Sequence, residues 1–114
     1  MSKEQITFDQ FLEIEKKLEI KMGHVIGAER VAKSKKLIKL IVDFASDEKD
    51  RKTVVTNLGD KFEPEAFYLK MIPFITNLAP TSMMGIESQA MIVVAEGTDG
   101  LIYFDNYPIG SKLL

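Results

Sequence analysis

The segment Glu63-Pro64-Glu65-Ala66-Phe67-Tyr68-Leu69-Lys70 decides which fold this 114-residue sequence predicts. Proline suits the first position of a helix, because the N–H that it lacks has no partner there in any helix. Acidic side chains on either side of the proline favour the positive end of the helix dipole. We therefore predict a short helix over residues 66–70, and the strands on its two sides define the architecture.

Three strand-like stretches precede this helix. Residues 20–26 alternate in character, and Gly23 and Gly27 predict the bulges or tight bends that small barrels need. Residues 37–44 are dense in Leu, Ile and Val, as expected of a core strand, and residues 51–58 alternate again. A charged turn, Asp47-Glu48-Lys49-Asp50, separates the last two stretches.

Two or three strands follow the helix. Residues 71–76 predict a strand that carries Pro73, and a proline there indicates an edge strand or a bulge. Residues 77–85 predict a loop, and residues 89–95 are strongly β-prone. Glu96-Gly97-Thr98-Asp99-Gly100 predicts a turn, after which residues 101–104 return as a hairpin partner.

The chain begins with a further predicted helix. Thr7-Phe8-Asp9-Gln10 has the spacing of a capping box, and apolar residues then recur at helical spacing, which predicts an amphipathic helix over residues 8–17. A helix between the third and fourth of five strands is the arrangement of the OB-fold, a partly open Greek-key barrel. We predict an all-β protein with short helices, a five-stranded OB-fold barrel built as one domain over residues 1–114.

Composition excludes several classes of protein. The chain has no cysteine, which rules out disulfides, thiol catalysis and thiolate metal sites. No apolar run approaches the roughly 18 residues of a membrane span, and the polar start lacks the apolar core of a signal peptide. By elimination these features favour a cytoplasmic protein without a membrane partner.

Charge is distributed unevenly along the chain. The net charge of −2 argues at first sight against a nucleic-acid partner. Residues 16–39 nevertheless hold eight bases and two acids, a local charge of +6 that leaves −8 for the rest. Such a field can steer a polyanion, although solvated lysines on exposed strand faces explain the same pattern more simply.

Motifs for catalysis are scarce. His24 is the one histidine, so no triad or histidine metal site can be assembled around a second one. Gly85 and Gly97 lack the spacing of a phosphate loop, and the acids of residues 47–50 lack the ligand pattern of a calcium loop. We predict a protein that is not an enzyme and that has no cofactor and no metal site.

One constellation remains, Asn77-Leu78-Ala79-Pro80-Thr81-Ser82-Met83-Met84-Gly85-Ile86-Glu87-Ser88-Gln89-Ala90-Met91. Its amides, hydroxyls and methionines would lie at the mouth of the predicted barrel. Such groups suit hydrogen bonds to bases and sugars, and methionine can pack on a base face. A polar loop that leads into a core strand fits the same residues equally well.

These residues resemble the tRNA-binding domain family, which includes a free-standing tRNA-binding protein, the C-terminal domain of many methionyl-tRNA synthetases, a domain related to endothelial monocyte-activating polypeptide, and a secretion-chaperone-like branch. The resemblance covers essentially the whole chain. It is most specific at Asn77-Leu78-Ala79-Pro80 and at Met84-Gly85-Ile86-Glu87-Ser88-Gln89-Ala90-Met91, where the family has Arg-Gly-Ile-Glu-Ser-Gln-Gly-Met. Leu18-Glu19-Ile20-Lys21-Met22-Gly23 stands where the family has Leu-Asp-Leu-Arg-Val-Gly.

The resemblance implies an OB-fold, often a homodimer, that grips the outer corner of tRNA by shape and is not itself catalytic. It acts alone or in trans with an aminoacyl-tRNA synthetase, the methionyl enzyme above all. By position it implies that Asn77, Ser88 and Met91 line the RNA site and that Lys35 and Lys36 contact phosphates. Arg51 and Lys21 are further candidates for RNA contacts. The apolar end of the tail, residues 107–114, is compatible with a homodimer interface.

The sequence departs from the family at places that matter for affinity. Ser82 and Met84 stand where the family commonly has Lys and Arg, Ala90 replaces a Gly, and Lys21 replaces an Arg. Since each missing phosphate interaction weakens binding and its salt dependence, we predict weaker tRNA affinity than typical members have. The alternative function is a chaperone-like, protein-binding dimer, because methionine-rich surfaces adapt to many partners.

Overall fold

The computed structural model describes residues 3–46, 49–95, 101–104 and 108–114. Within them one helix, α1, and eight strands follow in chain order, with a 3-10 turn at Pro64–Ala66 between the third and fourth strands. Their bounds are α1 Phe8–Glu15, β1 Ile20–Arg30, β2 Ile38–Asp43, β3 Arg51–Thr56, β4 Met71–Ile75, β5 Thr81–Met83, β6 Ile86–Ser88, β7 Met91–Ile92 and β8 Lys112–Leu113. The predicted turn over 96–100 and the first two residues of the one over 47–50 lie outside the described residues.

Strand β1 is the long strand around which the sheet curls. Its second half pairs with β2, its first half pairs with β4, and Ile20 and Lys21 also pair with β8. The register shifts between Val25 and Gly27, so the predicted bulge at Gly27 is confirmed. A bulge bends a strand and increases its twist, which lets β1 serve both halves of the curved sheet.

The barrel is closed between β3 and the residues that join β6 to β7. The main sheet runs β3-β2-β1-β4-β7, and all its pairs are antiparallel. At its β3 edge the Val55 N–H donates to Ser88 Oγ at 2.9 Å, and the Thr53 N–H donates to Gln89 Oε1 at 2.9 Å. The Gln89 N–H returns a bond to the Thr53 carbonyl at 2.8 Å. The predicted all-β, OB-like barrel is thereby confirmed.

The core lies inside this curved sheet. Phe44 and Phe74 meet edge to face at 5.5 Å between ring centroids, and both are buried. Gly23 allows this packing, since an added Cβ would lie 2.7 Å from the Phe44 ring and 2.9 Å from the Phe74 ring. The largest fully buried side chains are Phe67, Phe74, Met22, Ile38, Leu40, Ile72, Val25, Val42 and Val54.

The N-terminal capping box is confirmed. The Gln10 N–H donates to Thr7 Oγ1 at 3.1 Å, and the Thr7 N–H donates to Gln10 Oε1 at 2.8 Å. The helix ends at Glu15, two residues before the predicted end at 17. Its last turn tightens, because the Lys17 N–H bonds the Ile14 carbonyl three residues back.

The predicted helix over residues 66–70 is wrong in extent, although its place between the third and fourth strands is right. Only Pro64–Ala66 is helical, as a 3-10 turn. The Leu69 N–H donates to the Val25 carbonyl at 2.8 Å, and the Val25 N–H donates to the Lys70 carbonyl at 3.0 Å. Because the backbone here already pairs with β1, it cannot also continue a helix, and Leu69 adopts φ 63°.

The strands after this turn differ from the prediction in three ways. Strand β4 is interior, between β1 and β7, and not an edge strand. Pro73 lies where the pairing with β7 ends, and the Val93 N–H still donates to the Pro73 carbonyl at 3.0 Å, so the missing N–H costs at most one bond at the end of the ladder. The predicted loop over 77–85 contains β5, which pairs with β6. Of residues 89–95 only Met91–Ile92 is a strand, and described residues 101–104 lie in no strand.

Candidate nucleic-acid interface

A cleft of about 460 Å³ opens where β3 faces the β5–β6 hairpin and β7. Its apolar wall includes Leu58, Ile75, Leu78, Met83 and Met91, and polar groups come from Thr56, Asn57, Thr81 and Ser88. No charged side chain is among the described residues that line it. An uncharged, mostly apolar cleft suits the face of a base better than it suits a phosphate.

Two of the predicted RNA-contact residues, Ser88 and Met91, meet at this cleft. Met91 is 54% exposed, so its thioether is open to a ligand. Ser88 is only 4% exposed, and its hydroxyl is already fully engaged. It accepts from the Val55 N–H at 2.9 Å and donates to the Ala90 carbonyl at 3.1 Å.

Asn77 lies at a different place, where the end of β4 meets the connection between α1 and β1. Its amide donates to the Lys17 carbonyl at 2.7 Å and its oxygen accepts from the Glu19 N–H at 2.9 Å. The side chain lines a separate groove of about 370 Å³ beside Glu19 and Lys112. Within the motif of residues 77–91, Asn77 does not line the cleft that holds Ser88 and Met91, and the first residue that does is Leu78.

The predicted phosphate contacts Lys35 and Lys36 are exposed in the turn between β1 and β2. This turn abuts the rim of the cleft, because the Gly59 N–H donates to the Lys36 carbonyl at 2.7 Å and the preceding Asn57 and Leu58 line the cleft. The basic turn and the uncharged cleft therefore form neighbouring parts of one surface.

The remaining two predicted contacts, Arg51 and Lys21, are paired with acids. Arg51 binds Asp43 with two bonds, Nε to Oδ1 at 2.6 Å and Nη2 to Oδ2 at 3.2 Å. The Nζ of Lys21, on β1, lies 3.7 Å from the carboxylate of Glu19, the residue just before that strand. The structure places neither of them in the wall of the cleft, and in each case a carboxylate offsets the positive charge.

Glu19 is the centre of a polar cluster beside Asn77. The Thr76 hydroxyl donates to its carboxylate at 2.5 Å, which holds the pKa of Glu19 below its usual value. Burial opposes this shift by raising the pKa of Glu19, and the positive charges of Lys21 and Lys112 lower it again.

We expect Thr76→Val to make stability less dependent on pH in the acidic range. Because the folded-state pKa of Glu19 lies below its unfolded value near 4.5, the stabilisation is complete above that value and is lost as pH falls through the folded pKa. Urea unfolding between about pH 3 and 7 measures this. The difference between the native protein and the variant should shrink as pH drops, and a constant difference would contradict the assignment.

The sequence predicts no individual role for two residues of this surface, Gln89 and Arg30. Gln89 lies within the family-like motif, yet nothing local indicates that it bonds Thr53. Arg30 counts in the sequence only as one of eight bases, whereas its guanidinium bonds carbonyls of two other segments. The bonds from Gln89 to Thr53 and from Arg30 to Gly59 join residues about 30 or more positions apart, so no short-range signal could have found them.

Two further properties are limited to the described part of the chain. It contains no helix that is long and apolar enough to cross a membrane. Its histidine and acidic side chains form no group of three or more that could hold a metal ion.

Comparison with known proteins gives consistent matches. A family model described as a putative tRNA binding domain matches residues 20–111. A methionine–tRNA ligase of Cytophaga hutchinsonii is 42% identical over 102 residues, 90% of this chain, and one of Archaeoglobus fulgidus is 39% identical over 94 residues, 82% of this chain. The chain spans only 14% and 13% of the lengths of these two ligases.

Solved structures show the same fold. A MetRS related protein from Pyrococcus horikoshii superposes with a TM-score of 0.83 at 36% identity, covering 98% of this chain and all of that one. Chaperone CsaA of Bacillus anthracis superposes with a TM-score of 0.74, covering 97% of this chain and all of that one. The latter is 20% identical, a likeness that extends to the fold alone.

Proposed function

This chain belongs to the putative tRNA-binding domain family, and on that premise we propose that it is a structure-specific tRNA-binding module without catalytic activity of its own. The observation that carries the proposal is the family match over residues 20–111, which includes both the uncharged cleft and the basic turn. A nucleic acid offers a partner for each part, since bases are uncharged faces and phosphates are anions.

The proposed division of roles follows the geometry of this surface. Met91 packs on an unstacked base or sugar in the cleft, while Lys35 and Lys36 contact phosphates beside the rim. Arg51 and Lys21 can contribute only by exchanging their carboxylate partners for phosphate, so we assign them secondary contacts. Ser88 shapes the cleft, because its hydroxyl is bonded within the protein. Asn77 holds the segment that leads into the cleft through its bond to the Lys17 carbonyl.

A salt series tests the proposal directly. We expect the protein to bind folded tRNA more tightly than a random RNA duplex, with affinity that falls as salt rises from about 50 to 200 mM. Fluorescence anisotropy with labelled tRNA and a duplex of equal length provides the measurement. Equal affinity for the two RNAs at every salt concentration would refute the function.

Restoring the basic side chains that the family has at positions 82 and 84 should strengthen tRNA binding. In Ser82→Lys/Met84→Arg, two cations stand at exposed positions of the β5–β6 hairpin. The slope of log affinity against log salt should steepen by about 0.7 to 0.9 for each phosphate that the new cations neutralise. Ser82→Glu/Met84→Glu is the matched control and should weaken binding. If both double variants bind like the native protein, the hairpin does not face the RNA.

The partner beyond tRNA is also a proposal. The residues that match the synthetase relatives make up 14% and 13% of those proteins. We propose that the domain acts alone or in trans with an aminoacyl-tRNA synthetase, the methionyl enzyme first among them. This role places the protein in the cytoplasm. Pull-down of a methionyl-tRNA synthetase with the tagged protein, with and without ribonuclease, tests the association and its dependence on RNA.

We further propose that α1 and the C-terminal strand form a homodimer interface. None of the α1 residues is buried, and Phe8 and Leu114 are 72% and 74% exposed. The end of α1 and Leu114 line one groove, so the helix lies beside the C-terminal strand, and a second copy that covers both would bury the exposed Phe8 and Leu114 side chains.

Light scattering at about micromolar concentration should give a dimeric mass for the native protein and a monomeric mass for Phe8→Glu, because a buried charge at an apolar interface is costly. Tyr68→Glu is the control, since Tyr68 is 50% exposed away from this surface. A monomeric native protein would rule the interface out.

A chaperone-like, protein-binding role is the second candidate. The observation that favours it is the exposure of Met84 and Met91, at 58% and 54%. Flexible methionines at a surface adapt to different apolar partners. Peptide binding that persists at high salt, without RNA in the purified native protein, would favour this role over tRNA binding.

A further inference from the structure

The side chain of Arg30, at the end of β1, links three other segments of the chain. Its Nη1 donates to the Gly59 carbonyl at 2.9 Å and to the Lys35 carbonyl at 3.3 Å. Its Nη2 lies 3.1 Å from the carboxylate of Glu63. One guanidinium therefore joins the basic turn, the loop after β3 at the cleft rim, and the residue that starts the 3-10 turn.

Gly59 also joins the loop after β3 to the basic turn of Lys35 and Lys36. Its N–H donates to the Lys36 carbonyl at 2.7 Å. A Cβ at this position would lie 2.7 Å from the Lys36 carbonyl oxygen and 3.0 Å from Arg30 Nη1. The two segments can approach this closely only because residue 59 has no side chain.

We propose that Arg30 is a positioning residue for the tRNA site, which holds the turn of Lys35 and Lys36 against the rim of the cleft. The inference rests on the proposed function. Arg30 is not itself a phosphate ligand, because two of its nitrogens are occupied by carbonyls and a carboxylate. A planar guanidinium presents five N–H donors in a fixed fork, so Nη1 and Nη2 can bond acceptors on different segments. The three donors of a lysine ammonium radiate from one nitrogen and do not reproduce this geometry.

The decisive variant is Arg30→Lys, which keeps the charge and removes the bridge. We expect tRNA affinity to fall about three- to tenfold, because the two lysines must then be ordered during binding. The salt slope should stay unchanged, since the number of phosphates neutralised is the same. Lys35→Gln/Lys36→Gln is the contrasting variant, in which the slope should fall by about 0.7 to 0.9 for each phosphate that is no longer neutralised.

A second measurement tests the positioning role of Arg30 in the protein without RNA. Amide hydrogen exchange at Gly59, followed by NMR, should become at least several-fold faster in Arg30→Lys if the bridge holds the Gly59–Lys36 bond. Gly59→Ala provides an independent variant, because its Cβ would push the turn from the rim. It should lower tRNA affinity without changing the salt slope.

The outcomes separate this inference from the proposed function. No tRNA binding by the native protein would overturn both. If the native protein binds tRNA and Arg30→Lys binds equally well, only the positioning role is overturned. A salt slope reduced by about one in Arg30→Lys would also overturn it, because Arg30 would then contact a phosphate itself.

Discussion

Replacing Gly110 by alanine should destabilise the folded protein by about 3 kcal/mol. Gly110 has φ +79°, a left-handed conformation that costs an L-residue about 1 to 2 kcal/mol. An added Cβ would also collide with the backbone oxygen of Phe44. The segment cannot shift freely, because the Gly110 N–H donates to the Met22 carbonyl at 2.8 Å.

Gly85→Ala is the matched control for this prediction. Gly85 has φ +80°, nearly the same conformation, but nothing lies within 4 Å of an added Cβ. It should therefore lose only the conformational part, about 1 kcal/mol. Urea unfolding followed by circular dichroism measures both. Equal losses in the two variants would mean that the close approach of Gly110 to Phe44 does not limit the fold.

Ser88→Ala is the second variant with a large expected effect, a loss of about 1 to 3 kcal/mol in stability together with weaker tRNA binding. The substitution removes a hydroxyl that is buried between the Val55 N–H and the Ala90 carbonyl. Both groups would be left without that partner at the seam that closes the barrel. Residues of this seam also line the cleft. We therefore expect the loss of the seam's hydrogen bonds to change the shape of the cleft and to weaken RNA binding.

Gln89→Ala distinguishes a residue that holds the seam from one that touches RNA. Gln89 bonds Thr53 at the same seam, yet it is not among the predicted RNA contacts. If Ser88 acts by closing the barrel, both variants should lose stability and tRNA affinity together. Ser82→Ala, at an exposed position of the same hairpin, should change neither. A Ser88→Ala variant of native stability that no longer binds tRNA would make Ser88 a direct contact instead.

Local patterns predicted much of the fold. The capping box at Thr7 and the bulge at Gly27 need only neighbouring residues or one strand partner, and both are confirmed. The order of elements was sufficient to predict the barrel. The helix over residues 66–70 failed because its backbone groups bond Val25, more than 40 residues earlier, and helix propensity cannot register such a competitor.

The candidate site also has features that the sequence predicts and features that only the structure shows. Its residue types, Met91 for a base and Lys35 and Lys36 for phosphates, were predicted from the sequence and its family resemblance, and their role remains a prediction. Tertiary structure alone decided which of the seven predicted residues share a surface. Ser88 and Met91 lie at one cleft, whereas Asn77 bonds the connection after α1.

The sequence by itself determined a small β-barrel and one basic segment, since these depend on periodicity, capping and local charge. Its resemblance to the family singled out the motif of residues 77–91. Only the tertiary structure decided what the polar residues of that motif do. A hydroxyl or amide shows its function through its partners, and here those partners lie 33 positions away for Ser88 and 60 for Asn77. Folding brings them together, so their roles in shaping the site could not be predicted from local sequence.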